Sequence, residues 1–194
     1  MPHGLIESVT LNLKAESRET NLTPAVKKKA LVACLIALTI GNMMIENMAS
    51  FLPPFINDHP WTSSDNYQIS TFDTSLILAV FSIAQVIFAP FNSVIKNKLG
   101  AKNAVLVGFG LLTISTFGLG AISNFTDPHL FKYFAVGLRF IQGQGDIMLQ
   151  ITCYTLITQM YVEDIMNMIR YIEICVGLGL GLGPFVGSLV YKDL

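Results

Sequence analysis

The sequence predicts an all-α integral membrane protein built on five transmembrane helices. Three observations carry that expectation. Only 13% of the 194 residues are charged and 52% are hydrophobic, whereas roughly a quarter of an ordinary soluble domain is charged. Five mostly apolar runs reach or exceed the ~20 residues that a helix needs to cross the hydrocarbon core. Basic residues also gather on one side of these runs. Barrel strands would be about half as long and would alternate in polarity, so helices are expected.

Taken in order, residues 1–29 are polar and lack the apolar core of a cleavable signal. They read as a cytosolic N-terminal tail ending in Lys27-Lys28-Lys29. One membrane domain is expected over residues 30–191, with spans at about 30–56, 72–95, 103–124, 131–160 and 168–191, followed by a stub at 192–194. Proline removes a backbone donor and clashes with the preceding turn. Pro53 and Pro54 are therefore expected to end the first span, and Pro90 to kink or end the second. Lys14, Arg18, Lys27, Lys28, Lys29, Lys96, Lys98, Lys102 and Arg170 fall on one side of the spans, against Lys132 and Lys192 on the other. The loop around Asp58 and Asp65 has no basic residue. Positive residues favour the cytosolic side, which places the N-terminus in the cytosol of a multi-pass protein of a vesicle, vacuole or plasma membrane.

Several function classes are disfavoured. A net charge of −1 gives no basic face for nucleic acid. Cys34, Cys153 and Cys175 are dispersed in apolar runs, unlike a disulfide framework or zinc site, and read as small hydrophobes. The predicted spans hold no histidine, and no nucleophile elbow or phosphate loop is present. Neither an enzyme, a cofactor nor a metal site is expected.

Ionisable residues inside spans are costly and mark functional candidates. Glu46 follows Asn42 and precedes Ser50 by one turn each, which makes a polar stripe. That stripe suits a water-filled cavity or a cation site, or else an interhelical hydrogen-bond contact. Arg139, Gln142 and Asp146 form a second stripe in GLRFIQGQGDIMLQ. Arg139 and Asp146 lie two turns apart, about 10 Å along the axis, so each is expected to find its partner on another helix or in water.

Glycine supplies the third pattern. Gly143 and Gly145 remove bulk beside the charges. In the last span Gly179, Gly183 and Gly187 recur every four residues, as do Gly177 and Gly181, with Glu173 one turn before Gly177. Small residues at this spacing let helices approach closely, and Pro184 encourages a bend.

These stretches resemble the N-terminal half of a major facilitator superfamily transporter. Gly137-Leu138-Arg139-Phe140-Ile141-Gln142-Gly143-Gln144-Gly145 is similar to the family's fourth-helix motif. Gly179 to Gly187, centred on Gly183-Pro184, is similar to the fifth-helix motif of proton-coupled antiporters. In the loop NSVIKNKLGAKN, Lys98, Gly100 and Lys102 fit the family's cytosolic motif. Ser93 stands where glycine is usual there, and Asn97 where aspartate is usual. The charge network implied at that loop therefore lacks its acid. The resemblance covers about residues 30–191 and implies five of the six helices of that half-fold.

Within the superfamily, RFIQGQGD and the later YIE…VGLGLGLGP most resemble the vesicular amine and polyamine transporter branch. That likeness implies antiport of protons against an organic cation. It makes Arg139 a candidate for proton coupling or for organising the fourth helix. It makes Glu46, Asp146 and Glu173 candidates for cation binding or protonation. Three acids against one arginine favour a cationic solute, and such a carboxylate can trade a proton for the substrate. Transport of this kind needs two helical halves rocking about a midplane site. The chain is thus expected to be an incomplete transporter fragment, its partners being the lipid bilayer, a small organic solute and protons, with a second polypeptide or second copy supplying the missing half. The other reading is a short, non-transporting membrane protein serving as a structural or regulatory partner.

Overall fold

The computed structural model describes residues 23–58, 69–125 and 127–192. Lys14, Arg18 and Asp65 lie outside the described residues. Among the described residues there are five long helices: α1 (Pro24–Asp58), α2 (Thr71–Leu99), α3 (Ala101–Ile122), α4 (Pro128–Met160) and α5 (Ile165–Lys192). A 3-10 turn, Val162–Asp164, joins α4 to α5.

Four helices, α1, α2, α3 and α5, are long and apolar enough to cross a membrane. The 33-residue α4 is long enough but not apolar enough, because its middle carries Arg139, Gln142, Gln144, Asp146 and Gln150. Packing resolves the discrepancy. α4 lies in the middle of the bundle, with α2 and α3 along its flanks. α1 packs chiefly on α5 and touches α4 more lightly. The helix least fit for lipid is the one its neighbours cover.

Helix ends follow local chemistry. Ser70 caps α2 in a reciprocal box, its hydroxyl accepting from the Asp73 N–H and its own N–H donating to the Asp73 carboxylate, each at 3.3 Å. Asp127 accepts from the His129 N–H at 2.9 Å, and Pro128 opens α4; a proline loses nothing at a position whose N–H has no intrahelical partner. Between α2 and α3 only Gly100 intervenes, with φ 81° and ψ 151°. That region of backbone space is open essentially to glycine alone, so Gly100 is required for the sharp reversal.

Two prolines expected to stop α1 do not. Pro53 and Pro54 sit inside the helix, which runs on to Asp58, and Pro90 likewise sits inside α2. The lost backbone bonds are offset by packing of side chains next to each proline. Leu52 and Ile56 bury into a cluster with Ile77, Leu119, Ile122, Phe131 and Ala135. Asn92, two residues past Pro90, is buried and bonded to Gln144 of α4.

A second apolar cluster fills the other half of the bundle, with Cys34, Leu38, Ile45, Phe81, Leu112, Leu149, Cys153, Ile157, Met168 and Ile172. On α1, α3 and α4 the polar positions Glu46, Thr116 and Arg139–Asp146 fall between the two clusters. Outside, the pattern inverts. Val86 is 76% and Phe117 78% exposed, whereas Arg139 is 2% and Asp146 1% exposed. An apolar exterior around a charged interior is the reverse of a soluble protein. The chain is an all-α integral membrane protein.

Glycines set how closely the helices approach. A Cβ at Gly183 would stand 2.7 Å from the Glu46 Cβ and 2.9 Å from the Met43 carbonyl oxygen. One at Gly179 would stand 2.6 Å from the Thr39 carbonyl oxygen. Gly187 meets Asn47 in the same way. This stripe is the α1–α5 contact. Gly177 and Gly181 meet nothing within 4 Å and line the opposite, open face of α5.

A Gly183→Leu substitution is therefore expected to separate α1 from α5 and destabilise the bundle by about 2 kcal/mol or more, the range for overpacking a tight contact. Gly181→Leu should be close to neutral. Thermal unfolding of the two variants in detergent checks the contrast. Gly100→Val should cost about 1–3 kcal/mol from backbone strain alone, since nothing crowds its side-chain position.

Candidate functional site

The bundle interior is organised from α4 outward. Positions 139, 142, 146 and 150 follow one another at three- and four-residue steps, so their side chains share a face. Between them, Gly143 and Gly145 bring two neighbours in on either side. A Cβ at Gly143 would collide with the Phe81 carbonyl of α2, and one at Gly145 would sit 2.9 Å from the Gly108 carbonyl oxygen of α3. Gly108 returns the contact, its own Cβ position lying 2.9 Å from the Gly145 carbonyl oxygen. The two glycines of the motif thus serve different helices.

Arg139 is held by several weak partners rather than by one acid. Its Nη1 donates to Gln142 Oε1 at 2.7 Å. Gln142 Nε2 donates to the Thr116 hydroxyl of α3 at 3.1 Å, and that hydroxyl donates to the Leu112 carbonyl at 2.8 Å. The guanidinium carbon lies 5.5 Å from the centre of the Phe81 ring, within cation–π range. Glu46 of α1, its Cβ beside Gly183 of α5, belongs to the same polar layer. Arg139 Nε has no hydrogen-bond partner among the described residues.

Asp146 has a separate environment. Its Oδ2 accepts from Gln85 Nε2 of α2 at 2.5 Å and from Gln150 Nε2 at 2.7 Å. Oδ1 is buried without a partner among the described residues. As the two-turn spacing implies, Arg139 and Asp146 do not pair with each other; the ion pair found among the described residues joins Lys132 to Asp73 at 2.6 Å, near the far end of α4.

The remaining candidates are spread out. Asn42 is buried, but its Nδ2 donates to the Leu38 carbonyl at 2.8 Å, and its Cβ packs where Gly179 leaves room. Glu46 is half-buried between α5 and the interior. Glu173 is exposed and accepts from the Tyr154 hydroxyl of α4 at 2.7 Å. Pro184 is half-buried, beside Gly183. Lys98 and Lys102 are exposed on either side of Gly100. Lys27, Lys96, Lys98, Lys102 and Arg170 all lie toward one end of the bundle because successive helices alternate in direction. At that end Lys27 Nζ donates to the Met160 carbonyl at 3.4 Å, where a cation complements the helix C-terminus.

Gln85, Thr116, Phe81 and Gln150 in the interior, and Tyr154 on the exposed side beside Glu173, are the partners that sequence reasoning missed. Gln85 carried a usable signal, as the one amide in LILAVFSIAQVIFAP. Gln150 and Tyr154 extend the α4 stripe by one turn each. Thr116 and Phe81 carry no signal of their own, since a threonine and a phenylalanine are ordinary in spans.

Removing the first acceptor of Arg139 should be expensive. Gln142→Leu leaves Nη1 unmet in the interior, and hydrogen bonds to charged groups contribute about 1.5–3 kcal/mol. A loss of that size is expected in detergent unfolding, with Gln142→Glu retaining the acceptor and much of the stability.

The chain matches the family model of the Major Facilitator Superfamily over residues 18–194. No curated protein and no solved structure matches it. The match spans all five helices and includes the buried arginine, the paired glycines and the α5 glycine stripe. This chain belongs to the Major Facilitator Superfamily, whose members are multi-pass membrane proteins that move small solutes across the bilayer.

Proposed function

We propose that the transported solute is an organic cation such as an amine or polyamine, exchanged for protons. The observation that carries this reading is the polar layer between the two apolar clusters, to which α1 contributes the half-buried Glu46 and α4 the buried Arg139, Gln142 and Asp146. A half-buried carboxylate in a bundle interior can exchange a proton for a competing cation. The excess of acids over arginine among the in-span candidates supports a positive rather than a negative solute. The likeness to the vesicular amine and polyamine branch points the same way.

In this reading Glu46 takes the solute's ammonium group and Arg139 holds α4 in register, while Gln142 and Thr116 hold Arg139. Glu173 with Tyr154 contributes a second acid on an exposed face between α4 and α5. The basic end of the bundle faces the cytosol, following the positive-inside rule, in a vesicle, vacuole or plasma membrane. The protein acts as a transporter and not as an enzyme. Further helices, from the same polypeptide, a second one or a second copy, complete the pathway by covering the open face of α5. Ile174, Leu178, Leu182 and Phe185 are exposed there. That same face favours a second reading, in which the protein packs against another membrane protein and does not itself transport.

Vesicles from cells expressing the gene, preloaded with acid, should take up labelled spermidine or a monoamine, and an uncoupler should abolish the uptake. Glu46→Gln should lower uptake at least tenfold, and Arg139→Ala likewise, while Lys102→Gln should leave it within twofold. Uptake indifferent to the proton gradient and to Glu46 would remove the antiport reading. Absence of uptake, with co-purification of a second membrane protein that Gly181→Leu releases, would establish the packing role instead.

A further inference from the structure

Asp146 is the most enclosed carboxyl group among the described residues, and the pathway reading leaves it without a task. It is 1% exposed. Gly143 lets the α2 backbone close over one side of this part of α4, and Gly145 lets α3 close over the other. Two amide N–H groups, from Gln85 and Gln150, donate to Oδ2, and Oδ1 faces no partner among the described residues.

The charged and titratable groups on the surrounding helices do not neutralise it. On α4 itself, Arg139 is engaged by Gln142 and Phe81, Lys132 is bridged to Asp73 of α2, and Tyr154 is bonded to Glu173 of α5. The Cys34 and Cys153 thiols of α1 and α4 face each other within an apolar cluster. Residues 74–95 of α2 and 103–122 of α3 contain no titratable side chain. An ionised carboxylate here would be a buried charge with no counter-ion, the costliest state such a group can take. A neutral carboxyl keeps both amide bonds at Oδ2 and leaves only one hydroxyl unmet.

We propose that Asp146 is a dedicated proton-binding site, occupied by a proton whenever α2 and α4 are packed as they are here. The solute binds elsewhere, because no cation larger than a proton reaches Oδ1 in this packing. Release requires the Gln85–Asp146 seam to admit water. The Oδ1–H bond then breaks, the proton passes to water, and the carboxylate stays behind with Gln85 and Gln150 as donors. This inference rests on the proton-coupled reading above and deepens it. It separates the proton carrier, Asp146, from the solute-binding acid, Glu46.

Infrared spectroscopy of the protein in lipid vesicles reads the proton directly. A protonated carboxyl stretch is expected at neutral pH, shifted by deuteration, lost in Asp146→Asn and kept in Glu46→Gln and Glu173→Gln. Asp146→Asn retains an acceptor oxygen for the two glutamines. Should it fail to fold, Asp146→Glu must move the band instead. No such band in the unmodified protein, or a band that survives Asp146→Asn unchanged, overturns the proposal. In transport, the ratio of gradient-driven uptake to substrate–substrate exchange should fall at least tenfold in Asp146→Asn; an unchanged ratio also overturns it. If the unmodified protein shows no uptake, the antiport reading fails, and the infrared result alone decides whether Asp146 binds a proton.

Discussion

One constraint shapes this molecule: α4 carries an arginine and an aspartate at the depth where its neighbours face lipid. A charge in hydrocarbon is prohibitive unless protein covers it. The helix that holds them must therefore sit inside the bundle, and α2 and α3 must approach it closely enough to exclude lipid. Close approach needs glycine at Gly143, Gly145 and Gly108, where any side chain would meet a neighbouring backbone. Arrangement, glycine placement and the polar layer are thus one requirement seen at three levels.

The same reasoning extends to the hydroxyl groups. Ser115, Thr116, Thr152 and Thr155 each donate to a carbonyl one turn earlier on their own helix. In a medium without water, a polar group that finds no partner on another helix must be satisfied locally. Thr116 does both, donating to Leu112 and accepting from Gln142. It is where an ordinary helix-bound hydroxyl becomes part of the site.

α1 and α4 play comparable parts. Each carries polar residues where glycine admits a close neighbour, Asn42 and Glu46 against Gly179 and Gly183 of α5, and Arg139 to Asp146 where Gly143 admits α2 and Gly145 meets Gly108 of α3. They differ in enclosure. α4 is covered on both flanks, whereas much of α1 and α5 stays open. Asp146 is sealed for that reason, while Glu46 and Glu173 retain access to their surroundings. The division between an enclosed acid and two more accessible ones follows from helix order, not from any difference in the acids.

Much of this was legible in the residues. Apolar run length dictates helices, because a backbone in lipid must satisfy its own hydrogen bonds, and motif spacing marks Arg139, Gln142, Asp146 and the α5 glycines as special. What spacing cannot express is which face of a helix meets which neighbour. Gly179 and Gly183 pack while Gly177 and Gly181 stand open, although the two stripes read alike in sequence. Asp146 bonds to Gln85, 61 residues away, and Pro53 and Pro54 stay helical because Leu52 and Ile56 are held by α2, α3 and α4. Sequence alone determined the helices, their polarity and the residues too costly to leave in lipid. Tertiary structure decided the partners, because partnership in a bundle depends on rotation and neighbour order, to which the local pattern of one helix is blind.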